Sequence, residues 1–227
     1  FGGSLPNRAR FMNLVMEEVR KAAGKKVAVL VKMNMHDGFK GGMETGECLE
    51  VAGILENAGT DALVLSGGFV SKAPMYVMRG AMPMQVFAHY IKERWMRFFV
   101  RHFGGFLVRE VPFHEVYFLE QALAFRARLK LPLVYVGGLI SRGAMEEVLE
   151  KGFECVALAR ALFKDPGFVL NMQQEALSRS ECDICNYCIA VMYSRQASCI
   201  QNDKNPDPRI LKMLKKWLLP PILLKVM

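Results

Sequence analysis

The chain has 227 residues, 52% of them hydrophobic, enough to bury a substantial core, and one α/β domain is the natural expectation. Its net charge of +8 is placed unevenly: from Lys204 to Met227 six Lys/Arg stand against one acid, so the basic balance is a local tail feature and argues against a nucleic-acid partner. No run of about 18 apolar residues exists, which excludes a membrane-spanning helix, and the opening F-G-G-S-L-P-N-R has neither a Met nor the apolar stretch of a signal peptide.

Residues 7–23 have helical spacing, with Phe11, Leu14, Val15, Val19 and Ala22 on one face and Gly24 as a stop. Val27–Met33 is a short apolar run carrying one lysine, the pattern of a buried parallel strand. Residues 45–58 form the next expected helix, with Thr45 as cap, Cys48, Val51, Ala52 and Leu55 inward, and Gly59 ending it. D-A-L-V-L-S-G-G (61–68) reads as a second buried strand.

The connection from 69 to 115 is long for a compact unit, which marks a functional lid or docking segment. It holds Met75, Met78, Met82 and Met84, then the basic and aromatic stretch H-Y-I-K-E-R-W-M-R-F-F-V-R-H-F-G-G-F-L-V-R. Two readings stand open: an extra helical hairpin packed over a barrel mouth, or a surface for a membrane interface or a lipid-like substrate.

Residues 116–129 are helical again, and P-L-V-Y-V-G-G (132–138) is a third strand. Ser141 caps a helix carrying Met145, Val148 and Leu149, stopped by Gly152. C-V-A-L-A-R (155–160) is a fourth strand, and Asp165-Pro166 starts a helix to about Leu177. Strands recurring with helices between them imply right-handed βαβ units and a parallel sheet. Four such strands are half of an eight-stranded barrel, and the start at a turn raises the expectation that an N-terminal portion is absent.

Four cysteines follow in C-D-I-C-N-Y-C-(10)-C: Cys182, Cys185, Cys188 and Cys199. Three thiols on one tight loop, closed by a fourth from downstream, suit an iron–sulfur cluster or a structural zinc. The repeated two-residue gaps with one distant Cys are more typical of a cluster than of paired zinc knuckles. Cys48 and Cys155 stand alone in apolar segments and read as small core residues, so the cysteine usage points to a reducing, cytoplasmic setting. In the tail, Ile210, Leu211, Leu214, Trp217 and Leu218 gather on one side of a helix ended by Pro220-Pro221. That helix either docks on the domain or meets a membrane surface or a partner protein.

These motifs resemble the flavin-binding barrel of the old yellow enzyme family, in the iron–sulfur branch of 2,4-dienoyl-CoA reductase and trimethylamine dehydrogenase. F-G-G-S-L-P-N-R-A-R-F at 1–11 is similar to the segment after that family's fourth strand. V-G-G-L at 136–139 and A-L-A-R at 157–160 look like its phosphate-binding strand ends, and C-D-I-C-N-Y-C…C-I-Q-N resembles its cluster loop. The resemblance implies the C-terminal half, about strands 5–8, of a TIM (β/α)8 barrel, followed by a cysteine-rich loop and a basic tail helix. It divides the chain into 1–178 with the insertion at 69–115, a cluster loop at 179–203, and an amphipathic tail at 204–227.

The resemblance also assigns roles. Gly137 and Gly138 would let a flavin phosphate approach backbone N–H groups, Arg160 would add a charge-assisted bond beside Ala159, and Lys32 would lie against the pyrimidine side of the ring. Ala159 stands where the family commonly has a glycine, Phe69–Lys72 stand where a catalytic-region histidine is expected, and His36 matches no family role and reads as structural. The implied cofactors are FMN, a 4Fe-4S cluster at the four cysteines, and NAD(P)H as donor. The implied reaction reduces activated C=C bonds of an unsaturated carbonyl or acyl substrate. The catalytic residues and the substrate-polarising half of the barrel would lie upstream, and a redox partner would exchange electrons with the cluster. Peripheral membrane contact through 69–115 or 204–227 is a further expectation. The reading from a different class is a zinc-stabilised binding module without redox activity.

Overall fold

The computed structural model describes residues 1–192 and 198–215. In chain order the elements are α1 (Leu5–Ala23), β1 (Leu30–Asn34), α2 (Thr45–Asn57), β2 (Ala62–Ser66), α3 (Pro74–Met78), α4 (Met84–His89), α5 (Arg94–Leu107), α6 (Leu119–Arg128), β3 (Leu133–Val136), α7 (Arg142–Glu150), β4 (Cys155–Ala157), α8 (Arg160–Lys164), α9 (Phe168–Gln173), α10 (Tyr187–Val191) and α11 (Pro208–Lys215). They fall into two units, 1–73 with 114–158, and 74–113 with 159–227.

The first unit is built on a parallel sheet in the order β1-β2-β3-β4, with a helix in each crossover. This is the arrangement that alternating helical and strand periods imply. Register pairs Lys32 with Val64, Val64 with Val134, and Val134 with Cys155, so these four side chains share one face. Leu63, Leu65, Leu133 and Tyr135 point the other way and are fully buried, alongside Ala52, Leu55, Ala122, Phe125 and Val148 from the helices. Tyr135 is anchored inside this core: its hydroxyl accepts from the Phe118 N–H at 3.0 Å, and its ring meets Phe153 edge-on. Glu56 at the end of α2 accepts from the backbone N–H groups of Lys130 and Leu131 at 2.8 and 2.9 Å, which ties α2 to the start of β3.

The apolar strand runs suggest burial on both faces, and the sheet departs from that. Its second face is more open: Leu30 is 55% exposed, Lys32 and Cys155 are exposed, and Val64 and Val134 are half-buried. Cys155 is therefore not a core residue. The same correction applies to α1, whose Phe11, Leu14, Val15 and Val19 are exposed, while Ala9 and Met16 are the residues it buries. Leu149 on α7 is also exposed. Periodicity locates an apolar stripe but does not supply a layer to cover it.

Local signals fared unevenly. Ser141 is the cap of α7, its Oγ accepting from the Ala144 N–H at 3.3 Å and donating to Glu115 at 2.5 Å. Thr45 is the first residue inside α2 rather than its cap, a position held by Glu44 without a side-chain cap bond. The fourth strand ends at Ala157, the short helix α8 follows from Arg160, and the helix expected from Asp165 to about Leu177 is reduced to α9. Asp165 lies between α8 and α9, accepting from the Gly167 N–H and the Asn171 amide, both at 2.8 Å.

The second unit gathers α4, α10, the 3-10 turn Ile200–Asn202 and α11 around Val86, Tyr187, Ala190, Val191, Ile200, Ile210 and Leu214. The long connection after β2 thus contains three helices, with α5 packed on α4. Ile210 and Leu214 of the expected tail helix are buried in this cluster, while Trp217, Leu218 and Pro220-Pro221 lie outside the described residues. No helix among the described residues is long and apolar enough to cross a membrane.

The two isolated cysteines differ sharply. Cys48 is 2% exposed, and burial, followed by the charges of Asp37, Glu47 and Glu44, pushes its thiol up to about 11. A group whose folded value is raised contributes stability below its ordinary value of about 9, and that contribution is lost as pH climbs through 11. Urea midpoints are expected to fall between those limits, and Cys48→Ala to remove that part of the slope. At neutral pH, iodoacetamide followed by peptide mass mapping should label Cys155 and spare Cys48 until the chain is unfolded.

Candidate functional site

The cysteine loop belongs to the second unit. Cys182, Cys185, Cys188 and Cys199 are all free thiols, and all four line one small cavity together with Arg160, Phe163, Asp183, Asn186, Tyr187, Ile200 and Gln201. Two left-handed residues, Ile184 at φ 58° and Asn186 at φ 56°, bend the loop between its first three cysteines. Asparagine tolerates that conformation better than most residues, whereas the branched Ile184 is strained there. Asp183 pins the bend by accepting from the Cys185 N–H at 3.2 Å and from the Gln201 amide at 2.6 Å, so the fourth cysteine's segment is held to the first three. The Cys182 N–H donates to Ser180 Oγ at 3.3 Å.

Asn186 is the keystone of this loop. It is 1% exposed, and its amide nitrogen donates to the carbonyls of Arg79 and Ala81 at 2.8 and 3.0 Å. Its carbonyl oxygen accepts from Arg160 Nη1 at 2.7 Å. The Arg160 guanidinium also sits 5.5 Å from the centre of the Phe113 ring. Gly80, at φ +80°, lets the 79–81 backbone come this close, since a Cβ there would press on Asn186 and Ile184. The sequence reading did not single out Asn186; the signal was there, an asparagine between metal-spaced cysteines.

Burial is the main cause that raises the thiols of Cys182, Cys185 and Cys188 above their usual range. Arg160 works against it at Cys182 and Cys188, whereas Asp183 adds to it at Cys182 and Cys185. Among the described residues no group of three or more His, Cys, Asp or Glu is arranged to hold a single metal ion.

The remaining predicted positions are divided between the units. Lys32 lies mid-strand in β1 on the open face of the sheet, exposed, with no hydrogen bond or ion pair to it among the described residues. Gly137 and Gly138 follow β3 at φ 143° and 72°. A Cβ on Gly137 would meet Phe118 at 2.8 Å, and one on Gly138 would meet the His114 carbonyl at 2.8 Å and the Val116 nitrogen at 2.9 Å. Both glycines are thus demanded by the packing of loop 114–118, whatever else they do. Ala159 is the exposed cap of α8, and Arg160 opens that helix instead of ending a strand. His36 is in the loop after β1, where its Nε2 meets Glu44 at 2.7 Å and its Nδ1 accepts from the Gly38 N–H.

No protein-family model matches the chain. It is 37% identical over 204 residues to the 4,4'-dithiodibutanoate disulfide reductase of Rhodococcus erythropolis, covering 89% of this chain and 50% of that relative. Among solved structures, a 2-naphthoyl-CoA reductase in complex with 2-naphthoyl-CoA superposes with a TM-score of 0.63 at 20% identity, over 94% of this chain and 28% of the other. The histamine dehydrogenase of Rhizobium sp. 4-9 superposes with a TM-score of 0.64 at 21% identity, over 88% and 25%. This similarity agrees with the resemblance to the old yellow enzyme family. The chain spans half the length of its reductase relative and about a quarter of the two solved structures. The two low-identity structures establish the α/β fold of this stretch.

Proposed function

We infer that this chain is the flavin-phosphate and cluster-bearing part of an FMN-dependent oxidoreductase, corresponding to the C-terminal half of a TIM barrel. The observation that carries the reading is the convergence of Cys182, Cys185, Cys188 and Cys199 on one cavity in a chain 37% identical to a reductase. These four thiols would hold a 4Fe-4S cluster. Desolvation raises Cys182, Cys185 and Cys188, so these thiols would release protons on binding it, and Arg160 beside Cys182 and Cys188 would offset the added negative charge. FMN would lie at the C-terminal ends of the strands, with Lys32 supplying positive charge toward the ring and the Gly137-Gly138 backbone supplying donors for the phosphate. The expectation for Ala159 and Arg160 as flavin-phosphate residues rests on the resemblance alone. When bound, FMN would supply hydride transfer and the cluster one-electron transfer.

The reaction proposed is reduction of an activated C=C bond with electrons from NAD(P)H or through the cluster. A second acceptor class, a linear disulfide, is favoured by the name of the 37% identical relative. The substrate-polarising residues are expected outside this chain.

Anaerobic reconstitution of the full protein with iron and sulfide should give broad absorbance at about 400 nm. Cys185→Ser should lose it while retaining bound flavin. Colourless protein with stoichiometric zinc would replace the cluster by a structural metal site. Enone and disulfide substrates, assayed side by side with NADH and NADPH, then separate the two acceptor classes.

A further inference from the structure

The geometry points to a peripheral binding site for an anionic lipid surface on α5, a role that does not depend on the redox reading. Within the second unit, α5 leans on α4 through Gly104, where a Cβ would collide with Met84. Trp95 lies nine residues earlier, about two and a half turns, which places it on the opposite side of the helix. Phe99, Phe103 and Phe106 share that outer side at helical spacing. Trp95 is 71% exposed and Phe106 89%, and Phe98 and Leu107 beside them are also exposed. The amphipathic helix is therefore turned outward, with its small residue inside and its aromatic stripe facing water.

A stripe of this size on the described surface calls for an occupant. Charge decides which. Between Lys92 and Glu110 five Lys/Arg stand against two carboxylates. Arg97, two turns before Gly104, is on the inner side and held by the Ile91 carbonyl at 2.9 and 2.6 Å, whereas Lys92 and Arg94 at one end of the helix and Arg109 just past the other are exposed. A second copy docking face to face through α5 would bring like charges together. Anionic phospholipid headgroups would instead pair with these cations while Trp95 and the phenylalanines enter the acyl boundary, the mode of interfacial helices that lie on a bilayer without crossing it.

The test is co-sedimentation of the full protein with phosphatidylcholine vesicles, with and without phosphatidylglycerol, at low and high salt. Binding should require phosphatidylglycerol, weaken with salt, and shift Trp95 emission to the blue. Trp95→Ser with Phe106→Ser should lower vesicle affinity by at least about tenfold, because two interfacial anchors are lost. Both side chains are exposed, so flavin content and thermal midpoint should hold. Equal binding by the double variant overturns the proposal. So does a concentration-dependent dimer that the variant dissolves, or a Trp95 shielded from acrylamide in the full protein without lipid.

Discussion

Asn186→Ala is expected to destabilise the second unit by about 3 kcal/mol and to prevent stable cluster assembly. Three hydrogen bonds vanish at once: two to the carbonyls of Arg79 and Ala81, and one from the cationic Arg160. A neutral bond is worth about 1 kcal/mol net and one to a charged group about 1.5–3, and the orphaned carbonyls and guanidinium add their own cost. Alanine must also hold φ near 56°, which costs about 1 kcal/mol more than asparagine or glycine would. Urea unfolding followed by circular dichroism measures the sum. Asn186→Gly separates the parts: it loses the same bonds without the strain, so it should recover about 1 kcal/mol relative to alanine. If alanine and glycine behave alike, the left-handed conformation is not what the asparagine secures. The cluster readout is independent of stability, since reconstitution can be followed well below the unfolding midpoint.

The second large effect is expected at Gly138. A methyl group there would stand 2.8 Å from the His114 carbonyl, 2.9 Å from the Val116 nitrogen and 2.7 Å from Tyr117, at φ +72°. Two of those atoms are backbone and cannot rotate away, so loop 114–118 must move and the 3.4 Å bond from the Val116 N–H to the Gly138 carbonyl is lost. Gly138→Ala should cost about 3 kcal/mol, from strain together with the displaced packing. Gly143→Ala provides the contrast. Its Cβ would meet nothing within 4 Å, and it lies inside α7, so about 0.5–1 kcal/mol of stabilisation is expected from the narrower unfolded ensemble. Equal effects at the two glycines would show that backbone crowding is not what distinguishes them.

The parallel sheet and its crossover helices were legible because each element carries its own period and its own stop. Ser141 and the buried residues of α2 were readable for the same reason. What failed were statements about the partner of an apolar face. Phe11, Leu14, Val15 and Val19 are spaced like a buried stripe, yet all four are exposed. Cys155 sits in an apolar strand, and only its register with Val134 reveals which face it takes. The cysteine quartet was visible as spacing, but its support was not. Asn186 reaches Arg79 and Ala81 more than a hundred residues earlier in the chain, and no local window holds both ends of that bond. Gly137 and Gly138 show a limit of another kind, for they could be recognised as special before the reason was known. Crowding by loop 114–118 explains them without a ligand.

The first unit is discontinuous, with 74–113 interposed between its two stretches. This has a consequence for folding during synthesis. β2 pairs with β3, but β3 leaves the ribosome only after α3, α4, α5 and α6 have been made. Until then Leu63 and Leu65, later fully buried, have only the β1 side of their sheet to lean on. Closing so long a loop adds little to its entropic cost at equilibrium, because that cost grows only logarithmically with length. The delay falls on the rate instead, and the nascent chain carries an open strand edge for the time it takes to translate four helices.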